Sequence, residues 1–285
     1  DLSTGENFVR IGRRQGIVLP LSLLLIANWI VHDRHRWGRG VMLPLFLATG
    51  LGLALTMGRG MWACSGLGLV VSVWLWHKGK PVEQRRAWKG IVLAMGLVLT
   101  LTATVLVFQR VTGASISAHA VERSRTFLDY SRDIQVLSRL MNYASALGEI
   151  VEHPLLGAGQ GATVVSYAFQ PETNRFETWT AWTLDSLYLT LWLKFGLAGL
   201  ILFPWLCLFV VRAGIRVFLR TRDPSERAFA AAAVASLTGM ILLGISDGSM
   251  VNGRFTAVFA VLFGLVMVLD ADDRRMDDSK LQDEE

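Results

Sequence analysis

The sequence is poor in charge, cysteine and proline for its length. Only 18% of its 285 residues are charged, whereas 52% are hydrophobic and the mean hydropathy is +0.43. This balance excludes an ordinary soluble domain, and the long uncharged runs are typical of a polytopic helical membrane protein. The formal net charge of +5 comes from local clusters of basic residues between those runs, so we do not expect a nucleic-acid partner.

Cysteine, histidine and glycine patterns do not indicate a metal or nucleotide site. Cys64 and Cys207 lie singly inside apolar runs, and the five histidines lack ligand spacing. The glycine-rich stretch 157–161 has no Gly-Lys-Ser/Thr after it and no predicted strand before it, which excludes a nucleotide loop. The triplet 270–272 resembles a metal-binding Asp-x-Asp but opens an acidic tail, where we expect it to be solvated. We therefore expect neither a metal nor a cofactor.

Seven apolar segments predict the architecture, roughly 17–32, 41–57, 60–76, 89–108, 187–211, 228–246 and 254–269. Several are shorter than the ~20 residues of a typical span, but arginine and tryptophan at their ends can anchor them at the interface. The prediction is an all-α polytopic membrane protein with about seven transmembrane helices, forming a single transmembrane domain over 1–285. Because no Met and no signal peptide precede the first apolar run, we expect the chain to be a fragment of a longer protein.

Basic residues predict the orientation of these segments in a cytoplasmic membrane. They are concentrated in the connectors 32–40, 77–89 and 212–227, which the positive-inside rule assigns to the cytoplasm together with the acidic tail 270–285. The N-terminal stretch, the turn near 58–60 and the segment 109–183 then lie outside. The N-terminal stretch nevertheless carries Arg10, Arg13 and Arg14, which indicates either an anionic ligand or a tolerated short basic stretch.

The segment 109–183 is a large extracytoplasmic loop, and loops of this length are usually functional or disordered. Apolar residues recur within it at helical spacing: Leu137, Leu140, Met141, Ala144, Leu147 and Val151. This pattern predicts an amphipathic helix that lies on the outer membrane surface. The helix should stop at His153, because the residue before Pro154 avoids helical angles. We expect a flexible turn over 157–161.

The stretch 185–199 contains the strongest candidate for chemistry. Asp185 and Ser186 open an apolar run, and after nine further residues come Gly196 and Gly199, which we expect to admit a neighbouring helix. From the residues alone, Asp185 is either a helix N-cap or a reactive carboxylate where membrane meets water. Arg59 likewise is either an interfacial arginine or a ligand for an anion.

Three stretches resemble the O-antigen polymerase and ligase superfamily. Residues 55–62 (LTMGRGMW) resemble its outer-face T-x-S-R-G-x-W signature, and Arg139 with 152–161 (EHPLLGAGQG) resembles its R…HPLLGxGxG stretch. Residues 185–199 are similar to the ligase motif H-N/S/Q-x9-G-x-x-G, with Asp185 where ligases have histidine. The order and spacing of the three stretches match the family.

The resemblance implies a metal-independent glycosyltransferase at the extracytoplasmic face of the cytoplasmic membrane. Its donor would be an oligosaccharide linked to undecaprenyl pyrophosphate, and its acceptor a hydroxyl of a glycan or lipid. Arg59 and Arg139 would bind the leaving pyrophosphate, since the planar guanidinium suits phosphate oxygens. Asp185 would be the base for the acceptor hydroxyl. Further substrate-binding residues would be Arg10, Arg13, Arg14, His153 and Ser186.

Several activities remain open at this point. The aspartate at 185 favours a polymerase of O-antigen or exopolysaccharide over an O-antigen ligase. A protein O-oligosaccharyltransferase would use the same donor with a serine or threonine acceptor. A transporter or flippase for lipid-linked sugars is disfavoured, because the apolar segments carry few charges and no two halves of the sequence match.

Overall fold

The computed structural model describes residues 18–32, 36–55, 59–79, 134–170, 173, 175–248 and 253–283. Within these ranges the helices are α1 (Val18–His32), α2 (Arg36–Leu55), α3 (Arg59–Lys78), α4 (Ile134–Glu152), α5 (Leu187–Arg220), α6 (Pro224–Leu243) and α7 (Gly253–Asp283). Strands β1 (Val164–Gln170) and β2 (Arg175–Ala181) form a two-stranded sheet. The fold of the described chain is mostly helical.

The chain divides into two compact units. The helical unit comprises Asp1–Ala114, Cys207–Leu243 and Ala257–Glu285, and the hairpin unit comprises Ser115–Leu206 and Gly244–Thr256. Helix α5 begins in the hairpin unit and ends in the helical unit. The candidate site residues Arg139 and Asp185 both belong to the hairpin unit.

Six of the seven predicted apolar segments lie largely within described helices, and the seventh, 89–108, lies outside the described residues. By length and composition, α5 and α6 are each long and apolar enough to cross a membrane, while α1 and the stretch Gly40–Leu53 are shorter apolar helices. Helix α5 carries many exposed apolar side chains, such as Ile201 and Trp205, as expected of a lipid-facing surface. The number of crossings remains a prediction.

Small residues and one polar network hold the helical unit together. Helix α6 buries a run of alanines that packs against α1 and α3. Asn28 of α1 is fully buried, donates to Ser72 Oγ at 2.9 Å and accepts from Trp76 Nε1 at 2.9 Å. Small side chains with interhelical hydrogen bonds are typical of helix packing in membranes, where water is not available to solvate a polar group.

The predicted solvation of Asp270 is wrong. Its carboxylate is only 2% exposed and accepts from Arg216 of α5, with Nε–Oδ1 at 3.1 Å and Nη2–Oδ2 at 2.8 Å. The acidic segment continues α7 as a helix to Asp283. The pairing was missed because Arg216 lies 54 residues away in the sequence, and a bidentate partner at that separation leaves no local pattern.

The hairpin in the loop corrects the all-α prediction. Strands β1 and β2 pair antiparallel from Val164↔Ala181 to Gln170↔Arg175. In that register Phe169 lies opposite Phe176, and their rings meet edge-to-face with centroids 5.5 Å apart. The signal was present in the sequence, because both segments are rich in β-branched and aromatic residues, which suit strands.

Helix α4 confirms the predicted helix and its end, since it stops at Glu152, just before His153 and Pro154. The face that packs on the hairpin contains Asn142, Ala146 and Ile150. Asn142 Oδ1 accepts from Tyr167 N at 2.6 Å, which fixes the helix to β1. The predicted apolar face points the other way and is exposed, as at Leu140 and Val151.

Candidate functional site

Ser186, rather than Asp185, caps the start of α5. The helix begins at Leu187, and Ser186 Oγ accepts from Leu189 N in a long 3.5 Å contact. The Ser186 carbonyl also accepts from Thr190 Oγ1 at 2.7 Å, and Thr190 Oγ1 in turn accepts from Leu184 N at 3.1 Å. Ser186 is therefore buried and engaged at the helix start, which leaves the capping interpretation of Asp185 without support.

The carboxylate of Asp185 faces Arg139 of α4. The distance from Arg139 Nε to Asp185 Oδ2 is 3.9 Å, and the two side chains are 31% and 47% exposed. An ion pair this long and this accessible contributes little to stability. Both groups remain accessible to solvent, and in chemical terms a carboxylate can accept a proton while a guanidinium can donate hydrogen bonds to an anion.

The predicted stretches 152–161 and 185–199 are joined by hydrogen bonds at a break in α5. Gly196 interrupts the helix with φ 64° and ψ −159°. At this break Leu193 O accepts from Ala158 N at 2.7 Å, and Leu197 N donates to Leu155 O at 3.2 Å. These two bonds replace the helical bond that would otherwise join Leu197 to Leu193.

The inserted loop corrects two expectations. Residues 157–161 do not form an independent turn, because Ala158 N donates to Leu193 O of α5. A Cβ on Gly196 would collide with the carbonyl of Leu155, so among the described residues this glycine admits the loop backbone rather than a neighbouring helix. Trp192 Nε1 donates to Pro154 O at 2.9 Å and secures the same loop.

Lys194 is a site residue that the sequence analysis missed. It is only 4% exposed, and its Nζ donates to Gln160 O at 2.5 Å and to Ala162 O at 3.3 Å. The ammonium group also lies 5.9 Å from the centre of a Trp182 ring, within the range of a cation–π contact. Its signal in the sequence was a single lysine within an apolar run, where a charge requires partners.

The segment after α6 returns to the start of α5. Leu187 N donates to Gly244 O at 2.8 Å, and Tyr143 of α4 approaches Ile245 O at 3.5 Å. Gly248 lies against the carbonyl of Leu184, so the segment after α6 is close to the start of α5 within the hairpin unit.

The structure brings Arg139 and Asp185 together but describes the other predicted residues only in part. Arg59 is the first residue of α3 in the helical unit, and its side chain lies outside the described part. Arg10, Arg13 and Arg14 also lie outside the described residues. His153 is exposed, and its carbonyl accepts from Gly157 N at 2.9 Å.

Comparison with known families gives one match. The sequence model described as O-antigen ligase matches residues 43–203, which is more than half of the chain. The matched range begins in α2, includes Arg59, Arg139 and Asp185, and ends shortly after the break in α5. A comparison with curated proteins finds no match.

Proposed function

Since the chain belongs to the O-antigen ligase family, we propose that it is a membrane glycosyltransferase fed by a lipid-linked donor. It transfers or polymerises sugar units from undecaprenyl pyrophosphate to an acceptor hydroxyl of a glycan or lipid. The reaction takes place at the extracytoplasmic face of the cytoplasmic membrane. Family membership supports sugar transfer in general, and the apolar surface of α5 supports the membrane setting.

The observation that carries the proposal is the Arg139–Asp185 pair. These side chains are 46 positions apart in the sequence, and the fold brings them within 3.9 Å at a solvent-accessible helix start. Acceptor activation needs a base and pyrophosphate departure needs a fixed cation, so the pair supplies both requirements in one place. An arriving pyrophosphate would compete with Asp185 for Arg139 and leave the carboxylate available to the acceptor.

The proposed reaction is a displacement at the anomeric carbon of the donor sugar. Asp185 takes the proton of the acceptor hydroxyl, and the acceptor oxygen forms the new bond to that carbon. The bond from the carbon to the phosphate oxygen breaks, and its electron pair stays on the undecaprenyl pyrophosphate. Arg139 offers parallel N–H donors to the developing charge, with Arg59 as its proposed partner.

The remaining predicted residues also have proposed roles. Ser186 is proposed to act through the helix start that it caps. His153 stays a proposed substrate contact because its side chain is exposed beside the inserted loop. Arg10, Arg13 and Arg14 stay proposed helpers for the anionic donor. Asp185 in place of histidine favours polymerisation over ligation to a lipid core.

The test is glycosidic bond formation by purified protein in detergent, with the lipid-linked donor and a glycan acceptor. Asp185→Asn should lower kcat by roughly 10²–10⁴-fold, the usual contribution of a general base. Arg139→Ala should lower it by about 10²-fold or more, because the leaving charge loses its donor. EDTA should have no effect.

Glu149→Gln is the matched control, because Glu149 is an exposed acidic residue on the same helix as Arg139. It should retain native activity. Native activity in both Asp185→Asn and Arg139→Ala would refute the assigned roles, and the absence of any glycosidic product from native protein would favour a carrier of lipid-linked sugars.

A further inference from the structure

A continuous series of exposed apolar side chains runs along α4 and into the loop that follows it. We name this series the apolar stripe, and its members are Leu137, Leu140, Leu147, Val151, Leu155 and Leu156. Exposure rises toward its end, with Val151 at 75% and Leu156 at 87%. An apolar surface of this kind is disfavoured in water and indicates a contact.

The stripe is separate from the core of the hairpin unit. The opposite face of α4 carries Asn142, Ala146 and Ile150, which are buried against the hairpin. Arg139 lies on that face as well, since it precedes Ala146 by two helical turns. Helix α4 therefore has one face for the hairpin and the site, and a second apolar face that the described residues leave exposed.

The end of the stripe is fixed to the break in α5. Leu155 O accepts from Leu197 N, and Gly157 lies against the backbone of Gly196. After the break, the apolar stretch 197–211 has 15 residues before the basic segment that begins at Arg212, and it is about 22 Å long. The ~30 Å hydrocarbon core of a bilayer is longer, so a membrane-crossing α5 has its break about 8 Å inside the outer boundary of that core. The first turns of this stretch expose Ile201 and Trp205.

In a membrane-crossing α5 the break thus lies at the level of the outer leaflet, and the bond to Leu155 O holds Leu155 and Leu156 at the same level. We propose that the apolar stripe inserts into the outer leaflet of the bilayer, at the boundary between headgroups and acyl chains. Helix α4 then lies along the membrane with the hairpin on its outer side. This is the geometry of an interfacial amphipathic helix.

This placement also sets the height of the candidate site. With the stripe in the leaflet, the Arg139–Asp185 pair lies about one helix diameter, ~10 Å, farther from the membrane centre. A pyrophosphate at the headgroup level can meet the pair there while its polyprenyl chain stays in the bilayer. The inference rests on the proposed function only for α5 crossing a membrane and for the anchored donor.

The experiment uses single-cysteine variants of the full chain with Cys64 and Cys207 replaced by alanine. An environment-sensitive fluorophore is attached at position 151 or 156, and the protein is reconstituted into vesicles of phosphatidylethanolamine and phosphatidylglycerol. Quenching by spin-labelled lipids and by aqueous iodide is then compared. The control positions are 149, exposed on the polar side of α4, and 201, exposed on α5.

We expect labels at 151 and 156 to be blue-shifted, quenched by shallow spin-labelled lipids and protected from iodide. The label at 149 should be quenched by iodide, and the label at 201 by deeply placed lipid probes. If a labelled variant elutes as an aggregate, position 147 replaces it, because Leu147 belongs to the same stripe.

Three results would overturn the inference in distinguishable ways. Iodide quenching at 151 and 156 equal to that at 149 would show that the stripe faces water. Protection from both quenchers would show that protein, from this chain or a second copy, covers it. Lipid quenching absent at 201 as well would count against a membrane-crossing α5, and hence against the proposed function itself.

Discussion

Lys194 shows how a single buried charge can hold two motifs together. The ammonium group donates to the carbonyls of Gln160 and Ala162, so it ties the glycine-rich loop to the first turns of α5. Hydrogen bonds from a charged donor are stronger than neutral ones and partly offset the cost of burying the charge. Because the same helix start carries Asp185, we interpret Lys194 as a residue that positions the site.

Lys194→Met should lower the free energy of unfolding by about 2 kcal/mol, because two charge-assisted hydrogen bonds are lost. Lys78→Met is the matched control, since Lys78 also lies over a tryptophan ring, 5.7 Å from that of Trp74, but is exposed at the end of α3. Its cost should stay below about 1 kcal/mol. Thermal unfolding in detergent measures the loss of stability in both variants. Equal losses would contradict the positioning role of Lys194.

Sequence analysis identified residues whose charged side chains belong to a recognisable motif. Asp185 was a candidate from its residue type and position, and the resemblance to the family implied roles for both Asp185 and Arg139, which the fold brings together. Lys194 was missed because its hydrogen-bond partners are backbone carbonyls. Every residue has a backbone carbonyl, so the sequence contains no pattern of side chains that predicts this pairing. The cap at Ser186 was missed for a related reason, since Asp185 was considered as a possible cap and Asp and Ser are equally good N-caps.

At the scale of elements, the broken helix is the feature that organises the hairpin unit. The loop 153–162 enters α5 at Gly196 and takes over the hydrogen bonds that the break leaves unmade. Its entry requires a residue without a Cβ at the break, both for the positive φ and for the approach of the Leu155 carbonyl. The stretches 152–161 and 185–199, which were recognised separately in the sequence, therefore form one structural feature.

Gly196→Ala should destabilise the protein by about 3 kcal/mol or more, because backbone strain and a collision with Leu155 act at the same position. The control is Gly148→Ala within α4, where an added Cβ meets no atom within 4 Å. That change should be neutral or stabilise by about 0.5–1 kcal/mol, since alanine favours a helix interior. Unfolding midpoints in detergent measure the effect of both changes. A midpoint for Gly196→Ala equal to that for Gly148→Ala would contradict the prediction.

The end of α4 was easier to predict than the hairpin. The end of α4 followed from Pro154, which restricts the residue before it. The hairpin was missed because the large loop had been interpreted as helix followed by irregular chain, and a short strand leaves a weaker periodic signal than a helix. A cross-strand pair such as Phe169 and Phe176 becomes visible only with the register.

At the scale of the whole molecule, the core clusters of the helical unit and the Arg139–Asp185 pair lie in different units. The helical unit contains the apolar core clusters of α3, α5, α6 and α7 and the buried pair of Arg216 with Asp270. The hairpin unit contains Arg139, Asp185 and the inserted loop. Hydropathy predicted most of the helical unit because lipid-facing segments are apolar over their whole length, but tertiary pairing within it has no such signature.

This division predicts that stability and activity can be changed independently. Arg216→Ala leaves the Asp270 carboxylate buried without its bidentate partner, and should destabilise the protein by about 3 kcal/mol or more. Asp270→Ala should cost less, because the Arg216 side chain that remains is 36% exposed and can be hydrated. The double variant should cost less than the sum of the two single changes, as expected for residues in contact.

The division also predicts the activity of these variants. At a temperature where each variant remains folded, Arg216→Ala and Asp270→Ala should keep the native kcat, since neither residue belongs to the proposed site. Asp185→Asn should show the reverse, a large loss of kcat with an unchanged unfolding midpoint, because its ion pair is long and exposed. Parallel measurement of unfolding and sugar transfer separates variants that lower stability from variants that lower activity. A loss of kcat in Arg216→Ala at full folding, or an unfolding shift in Asp185→Asn, would show that core and site are one cooperative system.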